Sequence, residues 1–92
     1  MAMNFKDLKV NETYDITYRS DKYNFNGRGL CIGLIPKDGM AVFAISNIRV
    51  LILKADSVNG VSDNFMSLNI TFRKALLRKV QEITGLELES IQ

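Results

Sequence analysis

The stretch Tyr23-Asn24-Phe25-Asn26-Gly27-Arg28-Gly29-Leu30-Cys31-Ile32-Gly33-Leu34 decides how this chain folds. Asn26-Gly27 lies between aromatic and apolar residues. A type I′ hairpin turn needs positive φ at both central positions, which Asn and Gly accept at low cost. The dipeptide predicts a chain reversal, with residues 19–28 forming a hairpin arm. Beyond it, Leu30, Ile32 and Leu34 alternate with Gly29, Cys31 and Gly33, giving one large apolar face and one small face. Glycine inside a strand marks bending or close approach of another segment, which suits a curved sheet or small barrel.

Upstream, Thr13-Tyr14-Asp15-Ile16-Thr17-Tyr18-Arg19 alternates with period two and predicts a half-buried antiparallel strand. Its apolar positions are even, whereas Tyr23 and Phe25 are odd. A one-residue slip turns side chains to the opposite face. Either a bulge near Ser20-Asp21-Lys22 resets the register, or Tyr23 and Phe25 project from a protruding arm. Phe5 and Leu8 have the spacing of one helical turn, and Asn11 suits a left-handed turn.

Downstream, Pro36-Lys37-Asp38-Gly39 and Ser46-Asn47 predict further turns. Met40-Ala41-Val42-Phe43-Ala44-Ile45 is apolar on both faces and predicts a strand covered on both sides. Ile48 to Lys54 predicts the next strand. Asn59-Gly60 predicts a last hairpin into a weaker strand within residues 61–70. From 71 to 84 the period becomes helical: Phe72, Leu76, Val80 and Ile83 fall within roughly 80° on a wheel of ~3.6 residues per turn. Gly85 is a helix stop. The tail 86–92 alternates weakly, as an edge strand or a loose end. The expected fold is α+β and mainly β: a five-stranded antiparallel meander, as a small SH3-like or OB-like barrel or curved sheet, with one C-terminal helix.

The chain has 92 residues, with 47% hydrophobic, 24% charged and a formal net charge of +2. Residues 3–92 read as one small domain, and Met1-Ala2 as a cloning scar ahead of Met3. The single cysteine, Cys31, cannot form an internal disulfide, and no signal peptide opens the sequence, which predicts a cytoplasmic protein. No apolar run is long enough for a membrane helix.

The chemical inventory argues against catalysis. The sequence contains no histidine, so the usual neutral-pH base and commonest metal ligand are missing. One cysteine cannot build a cysteine-rich zinc site. Phosphate-cradling glycine loops, nucleophile elbows and calcium-loop spacing are missing too. The carboxylates are scattered over turns and polar strand faces. The sequence therefore predicts no enzyme, no metal and no cofactor. Cys31, between Leu30 and Ile32 in a strand, reads as a buried inert thiol.

Three features predict binding. On the arm, Arg19, Lys22, Tyr23, Phe25 and Arg28 interleave cations with rings, a mixture found in protein hot spots and in single-stranded nucleic-acid sites. On the helix, Lys74, Arg78 and Lys79 form a basic side, with Glu82 in reach of Arg78 or Lys79. Leu77 falls at the far margin of the apolar stripe. Unpaired strand edges would support a homodimer or β-augmentation. The leading expectation is a non-enzymatic protein-interaction module, a regulator, inhibitor or accessory subunit, binding through the arm. The alternative is a nucleic-acid-binding small barrel using the arm and the helix's basic side.

Overall fold

The structure, a computed structural model, describes residues 2–64 and 66–90. Ile91 and Gln92 of the alternating tail, and Phe65 in the stretch read as a weak fifth strand, lie outside the described residues. Five strands form one antiparallel sheet: β1 (Thr13–Arg19), β2 (Asn24–Ile35), β3 (Met40–Ala44), β4 (Val50–Lys54) and β5 (Val58–Val61). Helix α1 (Ile70–Thr84) follows. The first four strands are sequential neighbours, but β5 pairs with β1, so the order is β4-β3-β2-β1-β5.

Both Asn-Gly dipeptides lie inside strands rather than at turns. Asn26 and Gly27 pair with Thr17 and Ile16 within the β1–β2 ladder, and Asn59-Gly60 belongs to β5. The reversal between β1 and β2 occurs at residues 20–23. There Ser20 N–H donates to the Tyr23 carbonyl at 2.9 Å. The Ser20 hydroxyl oxygen accepts from the N–H groups of Lys22 at 3.3 Å and Tyr23 at 3.0 Å. A serine that satisfies two backbone donors closes a turn without a positive-φ pair. The phase slip is this turn itself. Every β1–β2 pair joins an even position to an odd one, as in Tyr18 with Phe25, so parity changes while the face does not.

A bulge displaces β2 a second time. Its pairing with β3 shifts between Cys31 and Gly33, leaving Ile32 as the extra residue. After the bulge Gly33 turns towards α1 and Leu34 joins the inner cluster, so Leu34 does not share a face with Leu30 and Ile32. Bulges bend a strand and strengthen its twist. The other expected turns hold: Gly39 N–H donates to the Pro36 carbonyl at 3.2 Å, and Ile45 N–H to the Arg49 carbonyl at 3.0 Å.

Curling is forced by chain length. Strands β4 and β5 occupy opposite edges of the sheet yet are joined by only Ala55–Ser57, a short 3-10 turn. A link of this length spans at most ~14 Å, while the edges of a flat five-stranded sheet lie ~19 Å apart. The edges must approach each other, although the sheet does not close into a barrel.

The curl has two cores. Inside lie Tyr14, Ile16, Cys31, Phe43, Leu53 and Val58, with Leu8 and Val10 from the N-terminal segment. Tyr14 and Phe43 meet edge to face, with ring centroids 6.1 Å apart, and the Tyr14 hydroxyl accepts from Lys9 N–H at 2.8 Å. Outside, Leu30, Ile32, Ile35, Val42 and Ala44 pack under Leu68, Leu76 and Val80. Ala41, Val42, Phe43 and Ala44 are therefore all buried, as expected for a strand covered on both sides. Val50 and Ile52 are half-buried at the edge strand.

Helix α1 starts at Asn69, whose side-chain oxygen accepts from Thr71 N–H at 2.7 Å, and stops at Gly85 with φ 69°. Beyond it, Leu34 and Glu89 exchange two backbone hydrogen bonds of 2.7 Å, so the tail covers β2 where β1 has ended. The docked helix face is rotated from the expected stripe. Leu76 and Val80 are buried and Leu77 packs against the cluster, whereas Phe72 is 46% and Ile83 75% exposed. Gly33 gives room for this seating: a Cβ there would lie 3.0 Å from Leu77 Cδ2, so Leu77 would have to give way.

Two stability predictions follow from this packing. Leu76→Ala should cost roughly 2–5 kcal/mol, whereas Ile83→Ala on the exposed flank should stay within about 0.5 kcal/mol. Chemical denaturation of the two variants checks this, and equal costs would contradict the helix rotation. At Gly29 an added Cβ would meet Ile16 Cδ1 at 2.7 Å and Phe43 Cβ at 3.0 Å. Gly29→Ala should therefore destabilise by about 1–3 kcal/mol through overpacking, read as a lower denaturation midpoint.

Candidate functional site

The arm is a surface ribbon whose tip is residues 20–23 rather than Asn26-Gly27. Arg19, Lys22 and Arg28 are exposed. Arg28 lies opposite Asp15 in the ladder. Phe25 is half-buried and packs against the inner core. Its ring lies over Gly27, where a Cβ would come 3.0 Å from Phe25 Cζ. Tyr23 is also half-buried, and its hydroxyl accepts from Arg49 Nη2 at 3.2 Å.

Arg49 belongs to a segment the sequence reading assigned to a strand. Ile45 N–H bonds the Arg49 carbonyl, which makes Ser46, Asn47 and Ile48 a loop tip and starts β4 only at Val50. The Ser46 hydroxyl oxygen accepts from Ile48 N–H at 3.3 Å, turning the Ile48 side chain out to 79% exposure. The available signal was Asn47, a turn former, together with Arg49 interrupting the apolar run.

The loop also faces the helix. Asn47 and Ile48 line a groove of about 370 Å³ with Phe72, Ala75, Leu76, Arg78, Lys79 and Glu82. Arg78 and Lys79 thus stand on its rim, with Lys74 exposed one helical turn before Arg78. The two basic regions read separately from the sequence, on the arm and on α1, are bridged by loop 46–49. Arg73 is turned away and donates from Nη1 to Asn11 Oδ1 at the helix start.

No group of three or more His, Cys, Asp or Glu side chains is placed to hold a metal ion among the described residues. Among the same residues, no helix is long and apolar enough to cross a membrane. Cys31 is fully buried in the inner core. Burial pushes its thiol up to about 12, against smaller opposing effects of its contact with the Gly33 carbonyl and of the Arg73 charge. Burial likewise raises the Tyr14 phenol, partly offset by its hydrogen bond from Lys9.

The cysteine yields a prediction in two measurements. At mildly alkaline pH an aromatic disulfide reagent should leave Cys31 unlabelled in the folded protein and label it fully in denaturant. The unfolded thiol ionises near 9.0 and the folded one near 12, so the unfolded chain loses its proton first. This contribution to stability is complete below the unfolded value and declines as pH rises between the two. Rapid labelling of the native protein would contradict the buried placement.

In comparisons with known proteins, no family model, no curated sequence and no solved structure matches this chain. Its function is read from the surface it presents.

Proposed function

We propose that this protein is a non-enzymatic interaction module, a regulator, inhibitor or accessory subunit acting in the cytoplasm on an SH3-like scaffold. Its partner is a protein. The binding surface runs from the 19–28 arm across loop 46–49 to the basic side of α1. The observation that carries the reading is the Arg49–Tyr23 hydrogen bond of 3.2 Å, which ties the loop to the arm. Arg19, Lys22, Arg28 and Arg49 on one side, and Lys74, Arg78 and Lys79 on the other, share these segments with two carboxylates, Asp21 and Glu82, and Asp15 lies opposite Arg28 in the ladder. Concentrated positive charge favours and accelerates encounter with an acidic partner surface. The turn 20–23, closed by Ser20, limits the ordering entropy lost on binding.

The ring geometry favours protein over nucleic acid. Stacking on bases requires open ring faces. Phe25 instead packs on the core, and Tyr23 is tethered through its hydroxyl. A tyrosine anchor among arginines is, in contrast, an ordinary protein hot spot.

The test is the double substitution Tyr23→Ser with Arg28→Ser. The variant should remain folded by thermal melt and lose at least tenfold in affinity for the protein captured from native cells after nuclease treatment. Nuclease-sensitive capture whose affinity falls steeply with salt would point to the nucleic-acid reading instead. Full affinity in the folded variant would place binding outside the arm.

A further inference from the structure

Resting on the interaction-module reading, we propose that the groove between α1 and loop 46–49 seats an acidic amphipathic helix of the partner protein. The groove is apolar at its floor and lip, where Ile48, Phe72, Ala75 and Leu76 converge, and basic at its rim, where Arg78 and Lys79 stand. Phe72 is 46% and Ile48 79% exposed, so the packing of the domain leaves both large side chains for another surface. Beyond the groove, Ile83 lies on the same flank of the helix as Phe72 by its spacing and is 75% exposed.

The spacing suits a helical occupant. Phe72, Leu76, Lys79 and Ile83 are separated by four, three and four residues, the repeat by which one helix receives another. They span ~16 Å, about three turns. An occupant with apolar residues at i, i+4, i+7 and i+11 would present a matching ridge, the helix-in-groove mode of recognition.

Charge selects among occupants. In a second copy of this chain, a two-fold antiparallel pairing would set Phe72 against Ile83 but bring the two Lys79 side chains together near the axis. Like charges forced together in a drying interface oppose that dimer. A helix flanked by carboxylates meets Lys79 and Arg78 with opposite charge. Glu82 also lines the groove, so the occupant's carboxylates belong beside Arg78 and Lys79 and away from Glu82. That same Glu82, and the concavity of the site, disfavour an anionic lipid surface.

The probe is a synthetic helical peptide of about five turns with leucines at i, i+4, i+7 and i+11 and glutamates on both flanks. A lysine-for-glutamate version is its control. Amide chemical shifts of the full chain should move at Ile48, Phe72, Ala75 and Lys79, and the lysine peptide should leave them still. Phe72→Ser and Lys79→Glu should each weaken the acidic peptide at least tenfold, and Ile48→Ser, in a loop where folding is not at stake, should do the same. Lys37→Glu, outside the groove, should not. Three results would each overturn the proposal: no shifts at millimolar peptide, a concentration-dependent dimer abolished by Phe72→Ser, or binding to anionic vesicles abolished by the same change. The two readings fail separately. Loss of the native partner in the Tyr23→Ser and Arg28→Ser variant, without peptide binding at the groove, removes the groove and keeps the arm. Loss of that partner in Phe72→Ser alone keeps the groove and removes the arm.

Discussion

The three-residue link between β4 and β5 is the constraint on which the rest of the structure depends. It joins the two outer strands of a five-stranded sheet and is too short to cross a flat one. The sheet must therefore curl, and curling sets what each face can contain. The inner face narrows, so Gly29 gives way to Ile16 and Phe43, and Cys31 and Ala41 take small positions beside Tyr14 and Phe43. The outer face widens and holds Leu30, Ile32, Ile35 and Val42 under the helix. The bulge at Ile32 lets one long strand serve both regions, pairing with β1 along its first half and β3 along its second.

Those demands explain which parts of the fold were legible in the sequence. The alternation of Thr13–Arg19 and the period change into Ile70–Thr84 are local patterns, and both elements appear where they point. The two Asn-Gly dipeptides misled because turn propensity is also local, whereas pairing is decided by the sheet. At Asn26-Gly27 the side chain of Phe25 covers Gly27 and Asn26 accepts a hydrogen bond from the Thr17 hydroxyl at 3.4 Å, so the dipeptide works as strand. At Asn59-Gly60 the Asn59 amide donates to the Thr17 hydroxyl at 2.8 Å, a bond made across β5 and β1. Thr17 lies nine positions from Asn26 and 42 from Asn59. The parity change between Tyr18 and Tyr23 was visible, but a bulge, a protruding arm and a turn of four residues all produce it. Only the Ser20 hydrogen bonds distinguish them.

The candidate surface was legible to the same degree. Its cations and Tyr23 could be named from their order along the arm and their spacing on the helix. What joins them could not, because Arg49 reaches Tyr23 across 26 positions of sequence and Ile48 sits at a loop tip that reads as the start of a strand. The exposure of Phe72 was hidden for a different reason. A helical wheel assumes that the apolar stripe docks on its centre. Here the surface beneath is uneven, and the missing side chain at Gly33 draws the helix towards Leu77.

That rotation shapes the candidate surface. A helix seated on its own stripe centre would bury Phe72 and bring Ile83 down to the sheet. Rolled towards Gly33, it keeps Leu76 and Val80 in the core and turns Phe72 outward, next to the loop that carries Ile48. The cost is apolar surface left in water, which weakens the domain in proportion to the area exposed. The same surface is the one proposed to receive an occupant, and Arg78 and Lys79 at its edge are the reason an acidic one is proposed. The small residue at Gly33 thus leaves room for Leu77 against β2, while Phe72 and Ile83 on the opposite margin of the stripe stay exposed.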